Sequence, residues 1–437
     1  MSNTKFWKPV YQLFKPEEPL TSPQDLKDFY VTRPDSPIED LIGTLEMEDD
    51  PAKFLLAGHR GGGKTTELRR LQQRIQGQLK HEFTAIWVDT ANALDRYNIG
   101  YAEVIVLIGL KILDTIHTLE LAIQPRLKSA LIDSLRTVVV EYEEVKVDGL
   151  ETPELVKKLG VMLKIGFNRT LKKIQNIRPT LTDILSRVND IIDAAENSCQ
   201  KKLVVIVDGL DRHDYATALE MFSDDLMTSL NCHIIYTIPM SLRYSPHFSQ
   251  PKEIFNECLD LVNIPVFKCD DNAKPTVNPD FTGRELLRMI IQRRLKRLGT
   301  DYADLFTLEA LEYISEKSGG VLRDLIRLAR STCKIARKHR LTQVDLSVAE
   351  EAVREERKVY TLSDYHYPEL DAVHSTGKLT SQTYNLPDKG EFVICDELLQ
   401  NKFILGYYDE KVRNWFDVNP IILEDLERWK IGNRDRL

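Results

Sequence analysis

Residues 54–71 read FLLAGHRGGGKTTELRRL. Four apolar residues run into three consecutive glycines, then a lysine, two threonines and a charged segment. Gly58 to Thr65 matches G-x-x-x-x-G-K-[ST] at every fixed position. The spacing has a physical reason. A strand delivers the chain to a tight loop whose amides point at phosphate oxygens, and glycines permit close approach and positive φ. The helix that follows aims its N-terminal dipole at the same charge. Leu68, Leu71, Ile75 and Leu79 give that helix one apolar face. The expected phosphate-binding set is Gly58, His59, Arg60, Gly61, Gly62, Gly63, Lys64, Thr65 and Thr66. Lys64 would reach the β- and γ-phosphates and Thr65 would ligate Mg²⁺, so ATP with Mg²⁺ is the expected cofactor pair.

About 140 residues on comes KKLVVIVDGLDRHD, residues 201–214. Five apolar residues in a row, Leu203 to Val207, fit a strand buried on both faces of a parallel sheet. Asp208 at its end is placed to hold Mg²⁺ with Thr65. Phe83 to Val88 and His233 to Thr237 read as further strands. Strands alternating with helices imply an α/β fold, a doubly wound parallel-sheet P-loop NTPase core. Gly209 follows Asp208 where many related ATPases carry glutamate. Asp211 is therefore the candidate to orient the attacking water. His213 reads either as a site member or as a solvent-exposed residue at a helix start.

Asp208-Gly-Leu-Asp211-Arg212 resembles the D-G-h-D-E motif of the STAND ATPases, the NACHT group above all, and the D-x-L-D-R of the KAP group. The resemblance implies a signal-transducing NTPase with Asp208 as magnesium ligand and Asp211 as catalytic-side acid. Arg212 stands where NACHT proteins have a second acid, which points to slow hydrolysis. Thr237 ends its strand where AAA+ and STAND proteins place a polar sensor. Arg243 reads as a sensor, a finger acting in trans, or a surface arginine.

Residues 315–356 hold Ser-Gly-Gly, then Leu322-Arg323-Asp324-Leu325 opening an amphipathic segment, then a further helix from Thr342. This is similar to the helical lid of origin-recognition-type AAA+ ATPases and several STAND relatives. By that resemblance Arg323 would reach the γ-phosphate. An arginine at a helix N-terminus fits the helix dipole poorly, which favours a functional reason for it over a merely solvated one. Residues 281–340 carry fourteen Lys/Arg against seven Asp/Glu, net +7. Arg284, Arg288, Arg293, Arg294, Lys296 and Arg297 crowd one helix, which could face nucleic acid, an acidic partner or water.

The tail reads as a winged helix: a helix from about 394, a strand near Phe403 to Tyr407, a turn at Asp409, and a return strand at Trp415 to Val418. Residues 341–437 carry twelve Lys/Arg against nineteen Asp/Glu, net −7. DNA binding relies on basic side chains that neutralise phosphates, so a protein-contacting module is the favoured reading. Tyr407, Tyr408, Trp415 and Phe416 are its core or a partner-facing patch.

The expected organisation is a lead-in at 1–50 packed on the core, an ATPase core at 51–280 with a helical insertion at about 99–200, a helical lid at 281–357, and a winged-helix-like domain at 358–437. Six scattered cysteines form no C-x-x-C pair, so neither zinc nor a disulfide framework is indicated. The longest apolar stretch, near Ala102 to Leu110, falls short of a membrane span, and the N-terminus has no secretory apolar core. A cytoplasmic protein with no membrane partner is expected. The leading expectation is an ATP-binding, slowly hydrolysing switch that controls self-assembly or a separate effector or sensor protein. Stand-alone proteins of this build resemble components of prokaryotic anti-phage defence. The alternative is a DNA-binding AAA+ ATPase similar to origin-binding or transposition proteins, with nucleic acid the less favoured partner.

Overall fold

The computed structural model describes residues 3–94, 100–140, 177–386, 390–409, 411 and 413–433. Two compact units are present. One comprises Pro37–Ala57 and Arg70–Asp260; the other comprises Met1–Ser36, Gly58–Arg69 and Leu261–Leu437.

The first unit is built on a five-stranded sheet in the order β2-β3-β4-β1-β5. Its strands are β1 (Lys53–Gly58), β2 (Phe83–Asp89), β3 (Lys202–Asp208), β4 (His233–Ile238) and β5 (Glu257–Leu261). β2 with β3, β3 with β4 and β4 with β1 are all parallel. This is the α/β P-loop NTPase sheet expected from the alternating pattern. β1 and β4 are buried along their whole length, and β3 along all but its first residue. That is why their sequences are continuous apolar runs rather than alternations. Parallel strands share one C-terminal edge, and ligands of such sheets bind outside it. Register brings Asp89 of β2 opposite Asp208 of β3 at that edge.

The insertion contributes helices Tyr101–Thr118, Pro125–Val140 and Ile177–Cys199. Residues 141–176 of the expected insertion lie outside the described residues. Among the described residues no helix is long and apolar enough to cross a membrane.

The second unit is largely helical; ahead of its lid, β6 (Phe267–Cys269) pairs antiparallel with β7 (Pro275–Pro279). Helices Phe281–Lys296, Leu308–Lys317, Leu322–Lys338 and Leu346–Arg357 form the lid. The Leu322–Lys338 helix buries Leu325, Ile326, Leu328, Ala329, Thr332, Cys333, Ile335 and Ala336, a stripe of 3.6-residue period. Asp280, Thr307 and Asp345 cap three lid helices, each accepting a bond from an N3 amide.

After the lid come a helix (Tyr367–Thr376) and two antiparallel hairpins separated by a helix. The hairpins are β8 (Thr383–Leu386) with β9 (Gly390–Val393), and β10 (Ile404–Tyr408) with β11 (Asn414–Val418); the helix between them is Ile394–Gln400. The second hairpin is the expected wing, and the first adds to the expectation. The Asp409 turn is described apart from residues 410 and 412. Tyr407 and Trp415 stack across the wing at 4.6 Å and are buried with Leu405 and Val321. Phe416 is buried too, so these aromatics are core.

The lead-in divides between the units. Ile38–Met47 is a helix of the sheet unit. Residues up to Ser36 pack instead with the lid. Trp7 donates its indole N–H to the Leu341 carbonyl at 2.7 Å, and Phe14 meets Phe306 edge-on.

The basic lid helix meets a fourth environment, the protein itself. Arg284 donates to the Val266 carbonyl at 2.8 Å and to Glu316 at 3.2 Å. Arg288 pairs with Glu285 and Glu312. Arg293 donates to the Tyr30 carbonyl at 2.7 Å, while Arg294 and Arg297 lie over the Phe29 ring. A net charge over the segment does not say which arginines its own glutamates meet, and it omits Tyr30, Phe29 and Val266, which lie outside the segment.

Candidate functional site

The chain leaves β1 at Gly58 and enters the phosphate loop, which closes at Lys64 where the next helix (Lys64–Gly77) begins. Gly61 has φ +94°, in the left-handed region that an L side chain rarely adopts. A Cβ there would stand 2.7 Å from Cβ of Arg323. The close approach is matched by a bond: the Arg323 amide donates to the Gly61 carbonyl at 3.0 Å. The lid helix thus begins against the middle of the loop. The Arg323 side chain turns toward the lead-in, donating through Nε to the Pro16 carbonyl at 3.2 Å with Glu17 at 3.7 Å.

Lys64 is 4% exposed. Its ammonium donates to the carbonyls of Gly58 at 2.5 Å and His59 at 3.0 Å, so the charge is held inside the loop. Thr66 accepts the Leu20 amide at 3.3 Å, a structural use of a residue expected to touch nucleotide. Arg60 is exposed.

Several supports of this loop carry no motif. Arg33, buried, donates to the Gly62 carbonyl at 2.8 Å and the Val262 carbonyl at 2.5 Å, and pairs with Asp35 at 3.0 Å. Glu67, buried one turn into the helix, accepts bonds from Ser36 at 2.7 Å and Tyr30 at 3.4 Å. His59 is buried and accepts the Gly406 amide at 3.1 Å on Nε2. Burial, then the charges of Lys64 and Lys402, push its pKa down to about 3, so the ring is neutral at physiological pH.

The acidic half belongs to the sheet unit. Asp208 ends β3 and is buried, its backbone carbonyl accepting the Thr90 hydroxyl at 2.8 Å. Gly209 has φ +103°, and a Cβ there would stand 2.8 Å from the Thr90 hydroxyl oxygen and 3.0 Å from the Ala91 amide. The position after Asp208 therefore excludes a glutamate by backbone shape and by space. Asp211 follows in a 3-10 turn, Leu210–Arg212.

Thr237 is fully buried. Its hydroxyl accepts the amides of Gly209 at 3.0 Å and Leu210 at 3.2 Å. The residue expected to sense phosphate fixes the turn that carries the acids. His213 is buried rather than exposed. Arg243 is held by Asp260 at 2.8 Å and lies over the rings of Tyr244 and Phe248.

Of the expected site residues, the loop and Arg323 stand together in one unit. Asp208, Asp211 and Thr237 stand in the other. The donor set fits a phosphate with a magnesium ion. The loop offers glycine backbone and a sequestered lysine. Among the described residues no group of three or more His, Cys, Asp or Glu side chains that could hold a metal ion is present.

No protein-family model matches the chain, and no curated protein matches it. The chain is similar to several solved structures. One is the Aeropyrum pernix ORC2 protein in its ADPNP–ADP complexes, at 12% identity over 96% of this chain and 98% of that one, with a TM-score of 0.43. Another is a Walker-type ATPase of Pyrococcus abyssi, at 14% identity over 95% and 99%, with a TM-score of 0.45. A third is the Aeropyrum pernix ORC1 protein in complex with DNA, at 12% identity over 95% and 97%, with a TM-score of 0.37.

Proposed function

We propose that this chain is an ATP-binding, ATP-hydrolysing switch in which the phosphate loop sets the position of the lid. One observation carries the reading: the lid's first turn is bonded to the loop itself, Arg323 amide to Gly61 carbonyl. A γ-phosphate on the loop is an acceptor for which the Arg323 guanidinium would leave Pro16 and Glu17. Loss of that phosphate would return it. Bound ATP with Mg²⁺ supplies the cleavable phosphoanhydride. Lys64 and the loop amides hold the phosphates, Thr65 and Asp208 are the proposed magnesium ligands, and Asp211 is the proposed base that orients water. The glycine turn after Asp208, with no carboxylate at 209, supports slow hydrolysis.

Two outputs fit such a switch. DNA is one: Lys334, Arg337, Lys338 and Arg340 cluster, exposed, at the end of the lid helix. A separate protein, or a second copy of the chain, is the other. The helix preceding the wing, Ile394–Gln400, carries Asp396 and Glu397 and no basic residue, which disfavours reading a DNA groove with it. Neither the STAND assignment nor a defence role draws support from the structures named above.

The test is binding of a fluorescent ATP analogue and phosphate release by the wild type, Lys64→Ala and Asp208→Asn. Lys64→Ala should abolish binding; Asp208→Asn should bind and lose Mg²⁺-dependent turnover. Unchanged binding by Lys64→Ala would refute the reading. Retention on DNA that weakens steeply with salt and depends on ATP selects the DNA output; no retention at low salt selects the protein output.

A further inference from the structure

The second residue of the phosphate loop faces the winged helix. The His59 imidazole accepts the Gly406 amide of β10 on Nε2. One neutral ring therefore ties the loop to the first strand of the wing. The Gly406 carbonyl is taken as well, by the Asn263 amide at 3.1 Å and the Asn263 side-chain Nδ2 at 3.3 Å. Asn263 is fully buried. Its Oδ1 has no hydrogen-bond partner and stands 3.6 Å from where a Cβ on Gly62 would be. Lys402, just before β10, pairs with Asp324 of the lid helix. Gly406 is thus clamped on both its backbone groups by residues that border the loop.

We propose that β10 is a supporting wall of the phosphate loop, with His59 and Asn263 as positioning residues, and that the winged helix reads the nucleotide through them. The inference rests on the reading that Gly58 to Thr65 holds phosphates. Phosphate oxygens draw the loop amides inward, and a shift of the His59 backbone is carried by its ring to Gly406. The wing then responds to nucleotide without touching it.

Hydrogen exchange of the full chain with and without Mg-ATP tests this. Nucleotide is raised until each protein is saturated. In the wild type, amides of Gly58 to Thr66 and of Ile404 to Tyr408 should both change, the Gly406 amide by about tenfold, the scale of one net hydrogen bond. His59→Leu removes the ring's bond to Gly406: the loop should still respond at saturation while 404–408 no longer does. His59→Gln, whose side-chain carbonyl can accept the Gly406 amide, should restore part of the response. Asn263→Ala, cut from the wing side, should weaken the same response and guards against a His59 variant that fails to fold. A merely structural role would lower stability in these variants and leave the nucleotide-dependent difference intact. An equal response at 404–408 in His59→Leu and wild type overturns the proposal. A wild-type loop that responds while 404–408 does not overturns the relay and leaves the nucleotide reading standing. No nucleotide bound by the wild type at all overturns both.

Discussion

The two halves of the candidate site are positioned by different means. The acidic half is set by sheet register. β3 and β4 are paired strand to strand, Asp208 falls at the shared edge, and the Thr237 hydroxyl beside it ties down the following turn. The phosphate loop has no ladder to hold it. It is held by single polar contacts borrowed from afar: Arg33 on Gly62, Gly406 on His59, and the Arg323 amide on Gly61. A ladder is rigid because many bonds must fail together. A loop held by separate contacts can release them one at a time, which suits the part of the molecule expected to move.

The sharpest probe of this contrast is acid. His59 in the loop unit titrates at about 3 and His233 in the sheet unit at about 4, both below the ordinary 6.5. Burial is the first cause for each, with Lys64 and Lys402 adding to it at His59, and Lys202 and Lys53 at His233. Between those values and 6.5 the unfolded chain binds more protons than the folded one, so stability is complete above 6.5 and declines as pH falls. For His59 alone the loss down to pH 4 is about 3 kcal/mol. Urea midpoints at pH 7, 5 and 4 should fall in the wild type. A flat profile would mean that the ring is not sealed.

Arg33→Ala should come next, at about 2–3 kcal/mol, because two buried carbonyls lose their donor. Its distinguishing effect is on nucleotide affinity, measured with the fluorescent analogue, since the loop loses a support that the sheet does not share. Equal affinity with lowered stability would mean that Arg33 serves only the fold. Thr237→Val leaves two amides without an acceptor and should cost about 2 kcal/mol in urea unfolding, while Thr237→Ser should recover most of it. The signature expected for this half is a fall in turnover with nucleotide binding retained. The smallest effect belongs to Glu17→Gln. That carboxylate is 67% exposed and meets Arg327 at 3.1 Å, so stability should change by under about 1 kcal/mol. Any larger change on this variant, in thermal melts at low and high salt, would promote the lead-in from solvated strap to working part.

This asymmetry also explains what could be read from the amino acids. Gly58 to Thr65, the β3 run and Asp208 are local patterns whose spacing encodes their geometry. The wing and lid were legible through periodicity and turn residues. Arg33, Asn263 and the direction of the His59 ring were not, because their partners lie 29, 143 and 347 residues away. The basic helix misleads because a net charge does not say what each arginine meets: here Phe29, far along the chain, and Glu312 and Glu316 of the next lid helix. Thr237 was singled out by its place at a strand end, but its hydroxyl serves backbone amides that no strand-end pattern reveals.

Gly209 bears on how this chain can diverge. A single codon change to glutamate would put a side chain where the Thr90 hydroxyl and the Ala91 amide already sit, on a backbone that resists it. A descendant with a carboxylate at that position would first have to rebuild the Thr90–Ala93 turn. The turn after Asp208 is therefore insulated from gaining a third carboxylate by one substitution at this position.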